Sequence, residues 1–558
     1  MHPFLFRRLF ALVVVAWVAA CPGRAAQAPL IPEGAVIMLP PLIVEETTSP
    51  LRWRYFAMPG REVLSATADA RASAVVERIR LLDHSLTSLI PERFLAKPGL
   101  VPETLVLLNQ ENLPGPTRTL LDDAAKKVNT RVRFIPNLAL GDLDAATTLA
   151  VPARGLDDFI YTEGRINGLL RRRTPQLPEW FIQGMGGFYR RLGFVGREIK
   201  ILPIVWGSRE ESDRRRRESA LPRLLLPFEE MLTRRPPPNS TADVDVTWRD
   251  QSTLFLYWAL QGGGSSRREA LWRFLDRLDR EPVSEALVVE HFGLAYADMR
   301  AALSDYLATA LIARNDPLLV APRRPQLAPP EFRPATPAEI TRIRGDLERL
   351  EVEHVRPQAA HLADIYAEQA RRTLRGVYSG EERDPQILAI AGLLELEAGQ
   401  PETALPFLEA AVQANVLRPR AYLELARLRY AALVKTVGQQ ADLTPAQVDS
   451  IAGPLLTGAQ QAPALVGIHT LLAVVLTRGS QAPSMAQLAA LHDGARTFAH
   501  APGLVAQTIL LHRAAGQSAA AMVLAREGML RAPDDAARAR IEAAAGGAVA
   551  TEGARTQR

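Results

Sequence analysis

Prolines recur every few residues between Pro317 and Pro337, and no apolar periodicity runs through them. Each proline fixes φ and lacks a backbone donor, so the stretch can neither continue a helix nor supply a central strand. It separates two regions of different pattern. Upstream, short apolar runs at 52–58, 104–108, 132–136 and 147–152 predict strands. Between the first two, residues 66–95 carry Val75, Ile79, Leu82 and Leu86 at helical spacing. From about 155 to 312 the signals are helical, with breaks at Pro175, Pro178, the prolines 236–238 and the glycines 262–264. Downstream the chain is alanine-rich and helical. Thr336-Pro337-Ala338-Glu339 is a capping box with proline at the first helical position, and Thr444-Pro445-Ala446-Gln447 repeats it. The expected fold is α+β over residues 51–316, largely helical in its second half. A linker at 317–336 and an all-α region at 337–546 follow, and residues 547–558 should fray.

Apolar residues make up 47% of the chain and charged residues 23%, which supports a buried core and excludes disordered, collagen-like or disulfide-stapled classes. The formal charge of +5 rests almost wholly on arginine and is too slight to be the footprint of a nucleic-acid binder. Arg7, Arg8 and the apolar run from Leu9 to Ala20 read as a secretory signal within residues 1–28, too short to span a bilayer. The lone cysteine, Cys21, follows Val18-Ala19-Ala20 and resembles the lipobox of bacterial lipoproteins, cut at 20/21 and acylated on the thiol. A rival cut lies after Ala28, although Pro29 would hinder it. Residues 29–50, rich in proline and small residues, read as a tether. Both readings export the chain to the periplasm or cell envelope, lipid-anchored at the outer membrane in one and free in the other. Neither leaves a disulfide, because no second cysteine exists.

The downstream half resembles tetratricopeptide repeats, whose unit is a 34-residue helix-turn-helix. With Gly392 as the small residue of a first helix, Leu388 and Ala391 fall on its packing face, Gly399 at the turn, and Ala404, Leu408 and Ala411 on the second helix. One period later stand Tyr422, Leu425 and Ala426. A further unit fits Val505, Thr508, Ile509, Gly516, Ala521, Ala525, Gly528 and Pro533. The aromatic expected in the first helix is Glu395 in one unit and His512 in another, and residues 434–462 interrupt the period. The resemblance implies an α-solenoid whose curved face binds a protein or peptide. A generic stack of helical hairpins is the plainer reading of the same residues. His469, His492, His500 and His512 are spaced too irregularly to mark a metal cluster and read as surface or packing residues.

In the upstream half, Leu177-Pro178-Glu179-Trp180-Phe181-Ile182-Gln183-Gly184-Met185-Gly186-Gly187-Phe188-Tyr189 resembles the P-x-W-x-x-E-G-x-A-x-Y helix of peptidase MA-like gluzincins. That helix follows one bearing H-E-x-x-H; two His four apart and the later Glu hold Zn²⁺, and the intervening Glu activates water. The likeness extends over roughly 145–310, with 147–152 as the edge strand before the first helix. The ligands do not carry over. The aligned positions are Thr162, Glu163, Ile166 and Gln183, and no histidine stands between His84 and His291. The resemblance therefore implies a zincin-like pseudo-peptidase with no metal or other cofactor. Gln183 is expected to hydrogen-bond between the two helices, Glu163 to form an ion pair, and Gly164 and Gly168 either to admit a close neighbour or to be tolerated at the surface. Arg171-Arg172-Arg173 and the arginines 214–217 read as solvated faces. The expected function is a non-catalytic scaffold or adaptor of the cell envelope that captures a partner through its repeats. The alternative is a hydrolase using a metal-free site around Glu163.

Overall fold

The computed structural model describes residues 51–95, 101–128, 137–151, 163–173, 175–195, 198–204, 225–234, 243–261, 264–313, 318–321, 325–357, 359–438 and 441–546. Among them the chain is mostly helical, with 21 α-helices and a small mixed sheet.

β1 (Arg54–Met58) and β2 (Arg61–Ser65) form a hairpin closed by Pro59 and Gly60. Gly60 has φ 70°, the conformation required after proline in a type II turn. Then come α1 (Asp69–Leu89), β3 (Glu103–Leu107), α2 (Gly115–Val128), β4 (Asn137–Gly141) and β5 (Ala146–Ala150). α3 (Glu163–Arg171) and α4 (Glu179–Tyr189) lead into β6 (Leu192–Val195) and β7 (Glu198–Ile201). Five helices follow: α5 (Phe228–Thr233), α6 (Asp243–Leu260), α7 (Gly264–Leu278), α8 (Glu285–Phe292) and α9 (Tyr296–Ala313). β8 (Leu318–Ala321) and β9 (Arg333–Pro334) complete the strands.

The six-stranded sheet has the order β4-β5-β3-β2-β1-β9, with β2, β3 and β5 parallel and the other pairings antiparallel. The strand at 147–152, expected at the edge, is internal: β4, which has no strong apolar signature, pairs outside it. The 132–136 run lies outside the described residues. Val63, Leu105, Leu107 and Ala150 face a core built with Val75, Ile79, Leu82 and Leu86 of α1 and the apolar faces of α3, α4 and α6. At the α4–α6 crossing a Cβ on Gly184 would lie 2.7 Å from the Ser252 carbonyl oxygen, so only glycine permits the approach.

The proline-rich segment is not a free linker where it is described. β8 joins β6 and β7 in a second, three-stranded sheet, and β9 pairs with β1 at the edge of the first. An edge position tolerates Pro334 because no further strand needs its missing donor.

Helical hairpins make up the rest. α10 (Pro337–Val355) pairs with α11 (Ala360–Thr373), and the short α12 (Arg375–Tyr378) precedes α13 (Pro385–Glu397) and α14 (Pro401–Gln413). α15 (Pro419–Val437) pairs with α16 (Pro445–Ala459), α17 (Val466–Thr477) with α18 (Met485–Thr497), and α19 (Pro502–Ala514) with α20 (Ser518–Leu530). α21 (Asp535–Ala545) packs on the last pair. The first helices stack in order, α10 on α13, then α15, α17, α19 and α21. Both expected capping boxes are formed, at Thr336 with Glu339 and at Thr444 with Gln447. A third, Ser484 with Gln487, was not read from the sequence.

The repeat positions mostly lie in these helix contacts. Ala404, Ala411 and Ala426 are fully buried, and Tyr422 and Ala521 nearly so. A Cβ on Gly392 would meet Leu408 Cγ at 2.7 Å, and one on Gly528 would meet Val505 Cγ1 at 2.7 Å. Leu388 is half-buried and borders two clusters. Pro533 differs: it is exposed in the turn before α21, where it breaks the chain and packs against nothing in the core. The interruption at 434–462 reflects a long α15, 19 residues against 13 in α13.

Candidate functional site

α3 and α4 are adjacent, as the resemblance requires, but their facing residues differ from the alignment. Thr162 lies outside the described residues, and so does the side chain of Glu163, the first residue of α3. Ile166 is fully buried in the apolar core. The α3 residue that meets Gln183 is Asn167, one position later, whose Nδ2 donates to Gln183 Oε1 at 2.9 Å. Gln183 Nε2 in turn donates to Glu179 Oε1 at 2.8 Å, and that oxygen also accepts from the Arg171 guanidinium. Gln183 thus bridges the helices, while Ile166 does not belong to the facing pair. A helical position one residue on is rotated by about 100°, which separates the core from the interhelical face.

Asn167 Oδ1 is buried with no hydrogen-bond partner. The facing groups are two neutral amides; neither moves a proton near neutral pH or supplies the charge a zinc ligand does. Gly168 is exposed and a Cβ there meets nothing within 4 Å, so it is a tolerated surface glycine. Trp180, Phe188 and Tyr189 are core residues, with Trp180 against Phe181, Phe255 and Phe274. The arginine run is only partly solvated. Arg173 is buried, pairs with Asp279, and donates to the Arg93 and Pro175 carbonyls at 3.0 and 2.9 Å. The run at 214–217 lies outside the described residues.

The densest polar constellation lies where the β4–β5 turn meets the helical hairpins. Asp142 Oδ1 accepts from the backbone amides of Asp144 and Ala145 at 2.9 and 2.7 Å, which folds the turn. Asp142 Oδ2 points the other way, to Arg349 of α10 at 2.7 Å and to Arg420 of α15. Arg418 binds Asp346 through two nitrogens, at 3.0 and 3.2 Å, and approaches Asp144 at 3.3 Å. Asp144 also accepts from the Arg420 backbone amide at 2.7 Å. Arg349 and Arg420 both bind Glu397 of α13, and Arg420 reaches Glu353 at 2.9 Å. Arg349, Asp142 and Asp144 have no exposed side-chain surface.

Burial opposes the charge on Asp142, yet Arg349, Arg418 and Arg420 outweigh it and hold the carboxyl well below the usual carboxylate range. For Asp144 burial wins over Arg418, and its carboxyl is pushed up to about 6. Burial likewise pushes Glu397 up to about 8 against the pull of Arg349 and Arg420. Five carboxylates face three guanidiniums in this cluster. Asp142, Glu353 and Glu397 offer oxygens within 4.8 Å of one another, a spacing that suits a metal ion. Arg420 and Arg349 each pair with all three, so arginine supplies the positive charge there.

No local motif announces this cluster, because its members come from residues 142–144, 346–353, 397 and 418–420. A second contact of the same kind joins Glu62 of β2 to Arg342 of α10, with Thr104 Oγ1 donating to the carboxylate at 2.9 Å and the Tyr55 hydroxyl at 3.1 Å. The two odd residues of the repeats are explained by polar partners. Glu395 is buried and bound twice by Arg371 at 2.8 Å and once by the Tyr378 hydroxyl. His512 is buried with Nδ1 2.7 Å from Gln517 Oε1.

No helix among the described residues is long and apolar enough to cross a membrane. Comparison with protein-family models, with curated proteins and with solved structures finds no match.

Proposed function

We propose that this chain is an exported, non-catalytic interaction protein of the cell envelope, with a degenerate gluzincin-like front domain and a tetratricopeptide-like stack of hairpins that binds a protein or peptide. The observation that carries the non-catalytic half is Gln183. In the alignment it takes the position of the ligand Glu, and both ends of its amide bond to neighbours, Asn167 and Glu179. A side chain fixed on both sides by neighbours is a structural strut between helices.

The binding half rests on the last hairpin. α20 exposes Met522, Val523 and Leu530, and Val523 and Leu530, seven apart, share one helical face. The early hairpins are already engaged by the β4–β5 turn, which directs a partner to the later ones. The test uses the untagged mature chain. General peptidase substrates should be left uncut with or without chelator and added zinc, and a partner captured by the parent should be lost from a Val523→Lys, Leu530→Lys double variant. Zinc-dependent cleavage would overturn the first half, and capture indifferent to the double substitution the second.

A further inference from the structure

We propose that His492 and His512 form a binding site for a divalent transition-metal ion that favours imidazole, of the class of Zn²⁺, Ni²⁺ or Cu²⁺. Twenty residues separate them in sequence, and the packing of α19 against α18 brings their rings to a centroid separation of 5.4 Å, nearly perpendicular at 89°. A coordinated nitrogen lies about 2.1 Å from zinc, which puts each ring centre about 3.2 Å from the ion and two rings at a tetrahedral angle about 5.2 Å apart. The observed centroid separation is close to that value.

The second observation is the state of His512. Its ring is 3% exposed, and Gln517 Oε1 accepts from Nδ1, which fixes the proton on that nitrogen. Nε2 is left as a bare lone pair, buried and with no hydrogen-bond partner. A buried acceptor without a donor costs free energy unless something occupies it. Gln517 is itself held, its Nε2 lying 2.9 Å from Met485 Sδ. A histidine oriented through its other nitrogen by a fixed acceptor is the arrangement that prepares a metal ligand. His492 is half-buried, so the ion has a route from solvent, and water would complete its coordination. Imidazole ligands select this metal class over Mg²⁺ and Ca²⁺, which take oxygen.

The experiment is calorimetric titration of the untagged mature chain with ZnCl₂ and, separately, CuSO₄, together with the copper electron paramagnetic resonance spectrum. One ion should bind per chain, with nitrogen hyperfine coupling in the copper spectrum. His492→Gln, at a half-buried position, should weaken binding at least tenfold with unchanged circular dichroism, and Gln517→Ala should weaken it several-fold. His500→Gln should leave it unchanged. Absence of binding overturns the proposal, and so does binding that survives His492→Gln. Binding lost instead in Glu353→Gln would assign the ion to the carboxylate cluster and overturn it equally.

Discussion

Replacing Asp142 by Asn should destabilise the whole described unit, because this carboxylate holds the β4–β5 turn against α10 and the start of α15. One oxygen folds the turn, and the other accepts from Arg349 and Arg420, with Arg418 at 3.6 Å. Asparagine retains an acceptor for the turn but removes the charge. It leaves fully buried guanidiniums facing a neutral amide. Removing one partner of a buried pair costs about 3–5 kcal/mol, chiefly because the remaining charge stays desolvated. At about 1.4 kcal/mol per tenfold, the folded-to-unfolded ratio should fall by roughly 100- to 4,000-fold. Urea unfolding followed by circular dichroism reads this as a lower midpoint with unchanged slope. Limited proteolysis should also cut sooner within 325–336, the stretch that joins the front domain to α10. A control at the exposed Arg538–Asp535 pair, Arg538→Ala, should cost no more than about 1 kcal/mol. An Asp142→Asn protein within about 0.5 kcal/mol of the parent would refute the reasoning, because a buried charge would then have been lost at no more than a surface substitution's cost.

Glu351 of α10 is fully buried. Burial pushes it up to about 8 against the side chain of Thr117, while Glu348 adds to the rise and Arg344 opposes it. Since the folded value lies above the unfolded one, its stabilising contribution is complete below about pH 4.3 and is lost as pH rises toward 8. Glu351→Gln should therefore gain stability relative to the parent between pH 5 and 8, on the order of a few kcal/mol, in urea midpoints measured across that range. Gln183→Glu should restore no zinc-dependent peptidase activity and should cost about 1–3 kcal/mol, because the new carboxylate replaces an amide that donates to Glu179. Thermal unfolding and a chelator-controlled cleavage assay check both parts. Gly392→Ala should cost about 1–3 kcal/mol through its clash with Leu408. Gly168→Ala, in open space on α3, should instead stabilise by up to about 1 kcal/mol.

Where structure follows from local pattern, the sequence was legible. The spacing of Val75, Ile79, Leu82 and Leu86 marked α1, the Thr336 and Thr444 boxes marked two helix starts, and Gly392 and Gly528 sit where two helices leave no room for a Cβ. Strands fared worse. The run at 52–58 marked β1, but β2 at Arg61–Ser65 was missed, and β4 is a half-exposed edge with little apolar signal. The proline-rich segment supplied β8 and β9 because edge and short outer strands tolerate a missing donor. At the candidate site, Gln183 was read as a strut between helices. Asn167 was missed because the alignment placed the facing residue at Ile166, and a one-residue shift turns a side chain from the interhelical face into the core. The arginine–carboxylate cluster and the His492–His512 pair are tertiary: no spacing along the chain encodes contacts assembled from separate hairpins.

Capture from a native envelope extract tests the central reading most directly. The baits are the intact mature chain and its Val523→Lys, Leu530→Lys variant, not isolated halves, because cutting at the proline-rich segment would break the buried Asp142–Arg349, Asp142–Arg418 and Glu62–Arg342 pairs. The account predicts one partner, held in near-equal amount by the parent and absent from the variant. The same proteins on both baits, or none on either, would contradict it.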